Sequence, residues 1–179
     1  MKKTNNQMNK TKTNMIKYFA CLIFSFLSIF GYSQNLVQNP SFESEGIWKS
    51  KGDVMERHHQ SILNVKPVDG VYYAELASDS GYQLSQEIEV EKDAFYEVSF
   101  YAQARPSVTA QESYFTFEVD DILSTQCRPH LDSWQLYQFT FSPKSNTTNI
   151  KFEDSYFGKS GIGAMIDVVS VKKLVIDKE

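Results

Sequence analysis

Apolar residues recur at every second position through most of this chain, and they hold no sustained helical period. Tyr96, Val98, Phe100, Ala102 and Ala104 alternate with Glu97, Ser99, Tyr101, Gln103 and Arg105. Phe115, Phe117 and Val119 alternate with Tyr114, Thr116 and Glu118, and Tyr137, Phe139 and Phe141 alternate with Gln138 and Thr140. Ile150 and Phe152 continue the pattern, as do Leu84, Gln86, Ile88 and Val90. Asp167, Val169 and Val171 form a further set, which places Asp167 on an inward face. Successive side chains of a strand point to opposite sides, so this period predicts strands that bury one face and leave the other available. Turn-forming residues separate the runs: Asp69-Gly70, Asp79-Ser80-Gly81, Lys92-Asp93, Arg105-Pro106-Ser107, Ser142 through Asn146, and Gly158 through Gly163. About nine or ten short strands at this spacing predict an all-β fold, an antiparallel two-sheet β-sandwich.

The beginning of the chain follows other rules. Lys2, Lys3, Lys10, Lys12 and Lys17 stand among no acidic residue, an apolar run from Phe19 to Phe30 follows, and Gly31-Tyr32-Ser33-Gln34 comes next. This is the order of a secretory signal peptide. Its apolar run is well short of the ~20 residues that span a bilayer. Cleavage is expected after Ser33, with Met15 as an alternative start. Cys21 lies inside the apolar run, with too little apolar sequence before it for a lipoprotein. The expected organisation is a signal peptide over residues 1–33 and one domain over 34–179, secreted, periplasmic or on the cell surface, with no transmembrane segment after cleavage. Removing five lysines from 18 basic residues leaves 13 against 22 acidic ones, a net charge of −9. That balance argues against nucleic acid and anionic membranes, which are held by clustered Lys and Arg. It suits a soluble exported protein and cation binding, and a monomer is expected.

Cys127 would be the sole cysteine after cleavage, so no disulfide within the chain is possible and the thiol reads as a quiet, semi-buried one. Arg57-His58-His59 holds the only adjacent histidines; on a strand they would face opposite ways, and a solvated loop is expected. His130 has no evident partner. Asp120-Asp121 and Glu153-Asp154 are adjacent acids, which rarely form an acid–base pair. No serine- or zinc-hydrolase pattern occurs, although carboxylates from distant strands could still assemble. Trp134 is expected to pack. Trp48 follows Gly46-Ile47 in a polar stretch and reads equally as edge packing or as a platform for a ligand.

Six stretches in order carry a resemblance: Asn35-Leu36-Val37-Gln38-Asn39-Pro40-Ser41-Phe42-Glu43, then Asp69 through Leu76, Leu84 through Ile88, Tyr96 through Ala102, Trp134 through Phe141, and Gly163 through Val171. Together they resemble the CenC-type carbohydrate-binding modules, families 4 and 9, within the galactose-binding-like β-jelly rolls. The resemblance implies a non-catalytic module that binds a poly- or oligosaccharide. It also implies a structural calcium ion, Ca2+, held by Glu43 and Asp167 with backbone carbonyls between them. Calcium takes six to eight hard oxygen ligands, and a carboxylate on an inward face needs a partner or a cation. The bland alternative is that both acids cap turns. Two other functions stay open: surface adhesion or assembly through protein contacts, and a small jelly-roll polysaccharide lyase or glycoside hydrolase.

The expected ligand face is the outward side of the strand around Phe100. Tyr101, Gln103 and Arg105 set an aromatic ring, an amide and a guanidinium in a row, and Tyr114 on the next aromatic strand would extend them if the two strands are neighbours. Loops around Trp48 and His58 are the alternative.

Overall fold

The computed structural model describes residues 33–50, 56–76, 83–106, 113–154 and 163–175. The expected leader, save Ser33, lies outside the described residues, as do the turns expected at 79–81 and 158–162. Among the described residues ten strands follow one another: β1 (Lys49–Ser50), β2 (Arg57–His59), β3 (Tyr72–Glu75), β4 (Gln83–Glu89), β5 (Tyr96–Ala104), β6 (Phe115–Val119), β7 (Leu123–Cys127), β8 (Gln135–Phe141), β9 (Thr147–Asp154) and β10 (Ala164–Lys173). They form two five-stranded sheets, β1-β4-β9-β6-β7 and β2-β3-β10-β5-β8. Every pairing is antiparallel. The chain crosses between sheets at most connections, and only β2–β3 and β6–β7 join sequence neighbours within a sheet. This is a jelly-roll β-sandwich.

The alternating residues meet between the sheets. Phe100 of β5 packs among Phe117 of β6 and Phe152 of β9, with ring centroids 4.8 and 4.9 Å away. Such pairs add ~0.5–1.5 kcal/mol each beyond the area they bury. Val98, Ala102, Ile150, Ile166, Val169 and Val171 complete the same core. Ile166 and Val169 both belong to it although they are three apart, because β10 carries a bulge. Ile166 and Asp167 pair with Ala102 and Tyr101, and the register then shifts before Ser170 meets Ser99. Val168 takes the extra position with a φ of 51°, a conformation that costs a β-branched residue heavily. The bulge therefore overturns the inward placement of Asp167: its register partner is Tyr101, on the side opposite Ile166.

The opening stretch, where Leu36, Val37 and Phe42 read in sequence as a short apolar strand, takes another form. Residues 35–43 form no strand. They run beside β10 through two backbone hydrogen bonds, Leu36 N to Val171 O and Val169 N to Pro40 O, each 2.9 Å. The Asn35 side chain clamps the same strand, accepting from Val171 N and donating to Val169 O. Pro40 has no N–H to give, and Asn39 and Phe42 have φ of 49° and 58°, so a continuous ladder cannot form.

Candidate functional site

Glu43 and Asp167 are brought to one loop, residues 66–72, from opposite ends of the sequence. Glu43 Oε1 accepts from Val71 N and Tyr72 N, both at 2.9 Å. Gly70 makes this approach possible: it has a φ of 67°, and a Cβ there would overlap the Glu43 carboxylate. Asp167 is fully buried. Its Oδ2 accepts from Val68 N at 2.7 Å and Asp69 N at 3.1 Å, and its Oδ1 accepts from Val168 N at 2.8 Å. Burial pushes its carboxyl up to about 6, the three N–H donors pull it back, and the charge of Asp69 adds to the rise. Both acids thus cap the loop through its backbone N–H groups.

A second cluster stands at the β2–β3 edge of the same sheet, and sequence reasoning missed it. Arg57-His58-His59 is strand β2, and not a solvated loop, because it pairs with Tyr72, Tyr73 and Ala74 of β3. Alternation puts His58 and His59 on opposite faces, so only His58 reaches the cluster. Glu75 at the end of β3 has a fully buried carboxylate. Its Oε1 accepts from Arg105 Nη1 at 3.0 Å and from Gly163 N at 3.2 Å. Its Oε2 lies 2.8 Å from His58 Nε2, and Glu56 Oε1 lies 3.3 Å from the same nitrogen. Both carboxylates thus face the one ring nitrogen as ion pairs. Glu56 and Glu75 hold the imidazole up to about 9, against burial. Tyr73, opposite His58, has its hydroxyl pushed up to about 12, first by burial and then by the charge of Glu75.

The expected ligand residues do not form one groove. β5 and β6 lie in different sheets, so Tyr101 and Tyr114 face opposite sides of the sandwich. Gln103 is buried and donates to Leu131 O at 2.9 Å. Segments around Leu63–Lys66 and His130–Trp134 lie over this part of the outer face, where Tyr73, Met165, Val65 and Trp134 form a small second core. Trp134 packs there edge-on against Tyr73 and donates to Lys66 O. Arg105 is committed to Glu75, and Tyr101 is half-buried. Trp48 is no exposed platform. It is 5% exposed, packs between Phe42 and Phe152, and donates to Asn39 O. The polar stretch around it hid the fact that Phe42 turns inward. Asp120 is a turn cap for Thr148 and Asn149; burial raises its pKa, but these hydrogen bonds win and lower it. Cys127 is buried, which pushes its thiol up to about 12.

The outer face of the first sheet is more open. Tyr114 stands just before β6, with Arg128 over its ring at 5.4 Å. Arg128 Nε and Nη2 both donate to Gln126 Oε1, at 3.1 and 2.9 Å. In register beside them run Gln126, Thr116 and Glu153, then Ser124, Glu118, Lys151 and Ser85. These side chains are half-buried or exposed. The ring–amide–guanidinium grouping expected on β5 therefore occurs here. The signal in the sequence was Ser124, Gln126 and Arg128 alternating after the Asp120-Asp121 turn.

Known structures share the fold. TmCBM61, solved with β-1,4-galactotriose, superposes with a TM-score of 0.60 at 18% identity, covering 79% of this chain and all of that one. The CBM22-1 xylan-binding domain of Xyn10C from Paenibacillus barcinonensis gives 0.56 at 13% identity over 81% of this chain and 97% of its own. A carbohydrate-binding module of family 4 gives 0.52 at 18% identity over 77% and 99%. At such identities the likeness is one of fold. No curated protein matches the sequence. Residues 43–172, from the loop-capping Glu43 to the end of β10, match the family described as “Protein of unknown function (DUF642)”, and the chain belongs to that family.

Proposed function

We propose that the protein is an exported, non-catalytic carbohydrate-binding module that takes its ligand on the outer face of the β1-β4-β9-β6-β7 sheet. The observation that carries this reading is the contact group of Tyr114, Gln126 and Arg128 on an open, polar sheet face. An aromatic face packs on the C–H groups of a sugar ring, while amide and guanidinium donate to its hydroxyls. Residues two apart on a strand stand ~6.6 Å apart, about the length of one sugar ring. The face over Tyr101 and Gln103 suits a ligand less, because protein segments already lie on it. Calcium belongs to the same proposal. Glu43, Asp167 and carbonyls of the 66–72 loop would hold it, and it would fix that loop and offset the charge of the buried Asp167.

The solved modules of this fold make galacto-oligosaccharides and xylan the first ligands to try on a glycan array. Binding without product formation supports the reading. Tyr114→Ala and Arg128→Ala should then each weaken binding about tenfold, as loss of ~1.4 kcal/mol does, with unchanged melting. Product formation would speak for a lyase or hydrolase, and a silent array for protein contacts. Equal affinity in both variants would place the glycan elsewhere.

A further inference from the structure

Glu56, His58 and Glu75 present their ligand atoms within 4.8 Å of one another. A β-ladder holds all three. Glu56 and His58 are two apart and so face the same way. Glu75 N donates to Glu56 O at 3.0 Å, which sets the two glutamates side by side across the β2–β3 edge. The imidazole nitrogen is 2.8 Å from Glu75 Oε2 and 3.3 Å from Glu56 Oε1. Tetrahedral bonds of ~2.0–2.2 Å set ligand atoms about 3.3–3.6 Å apart, so small side-chain shifts separate this arrangement from a coordination shell.

Two features point to a cation and not only to a cluster of charges. Glu75 is 3% exposed, and its Oε2 accepts no hydrogen bond although it points at His58 Nε2, which has no hydrogen-bond partner either. An ion between them gives both atoms a partner. The other oxygen of Glu75 is already fixed by Arg105 and Gly163, in the way that outer partners orient a ligating carboxylate. We propose that Glu56, His58 and Glu75 form a binding site for a divalent transition-metal ion, with zinc as the type ion, distinct from the acids around the 66–72 loop. The imidazole selects for such ions over calcium and magnesium, which prefer oxygen alone. Three protein ligands leave a fourth position, and Glu56, whose side chain is 35% exposed, places it towards solvent.

The test is zinc titration by calorimetry on the untagged full chain, with millimolar calcium present so that the loop acids are not read. The expected result is one equivalent of zinc. Affinity should fall at least tenfold in His58→Ala and in Glu56→Gln, and stay within twofold in His59→Ala. Cobalt should give a visible absorption band that is lost in the first two variants. Glu56→Gln alters a partly exposed side chain, and an unchanged melting curve shows that it has folded. The proposal is overturned if the wild type binds no zinc, or if His58→Ala and Glu56→Gln both bind as the wild type does.

Discussion

Glu75→Gln in metal-free protein tests whether the buried carboxylate holds the β2–β3 edge. The change keeps the shape and removes the charge. The side chain is fully buried, with Arg105 Nη1 at 3.0 Å and His58 Nε2 at 2.8 Å. Removing one partner from a fully buried ion pair costs ~3–5 kcal/mol. Arg105 and His58 keep 23% and 16% of their side chains exposed, so water offsets part of this, and about 2–3 kcal/mol is expected at neutral pH. For a chain of this length that lowers the melting temperature by about 5–10 °C. The effect also has a signature in pH. The folded-state pKa of His58 is raised from 6.5 to about 9. The charged imidazole therefore contributes stability that is fully present below about pH 6.5 and is lost as pH rises through about 9. The gap between wild type and Glu75→Gln should be widest near pH 6 and narrow by pH 10. Urea denaturation with chelator at several pH values measures it. A gap below about 0.5 kcal/mol at pH 6, or one that grows with pH, would refute the reasoning.

Saturating calcium at 100 times its dissociation constant should stabilise the protein by ~2.7 kcal/mol, and Glu43→Ala should melt alike in calcium and in chelator; identical melting of wild type in both would remove the calcium site. Val168→Gly should raise stability by roughly 0.5–1 kcal/mol, since glycine accepts the bulge conformation without the Cβ penalty; a clear loss of stability in urea denaturation would count against that account. Cys127 should not react with a thiol reagent until the protein unfolds, because burial both shields the sulfur and keeps it protonated; labelling at the rate of a free thiol would show that the β7 end opens.

Much of the fold was legible because strand structure leaves a one-dimensional trace. Alternation alone bounded β5 at Tyr96 and Ala104 and β6 at Phe115 and Val119, and the absence of any helical period required two packed sheets. The six stretches resembling carbohydrate-binding modules likewise agree with the fold. Sequence could also mark Glu43 and Asp167 as acids needing partners, since a carboxylate among apolar residues is costly wherever the chain puts it. What it could not carry was information that exists only across strands. The sheet to which a strand belongs is set by pairing, so the outward faces of β5 and β6, identical in pattern, look to opposite sides, and Tyr101 and Tyr114 part company. A single extra residue at Val168 reverses every side chain before it, and only the positive φ there reveals the shift. Trp48 stood in a polar stretch and Gln103 on an outward face, yet Phe152 and the segment around Leu131, far away in sequence, help to bury them. The Glu75 cluster needed the β2–β3 register, the end of β5 and Gly163 together. No local pattern records that meeting, because its partners are joined by burial and charge in three dimensions and by nothing along the chain.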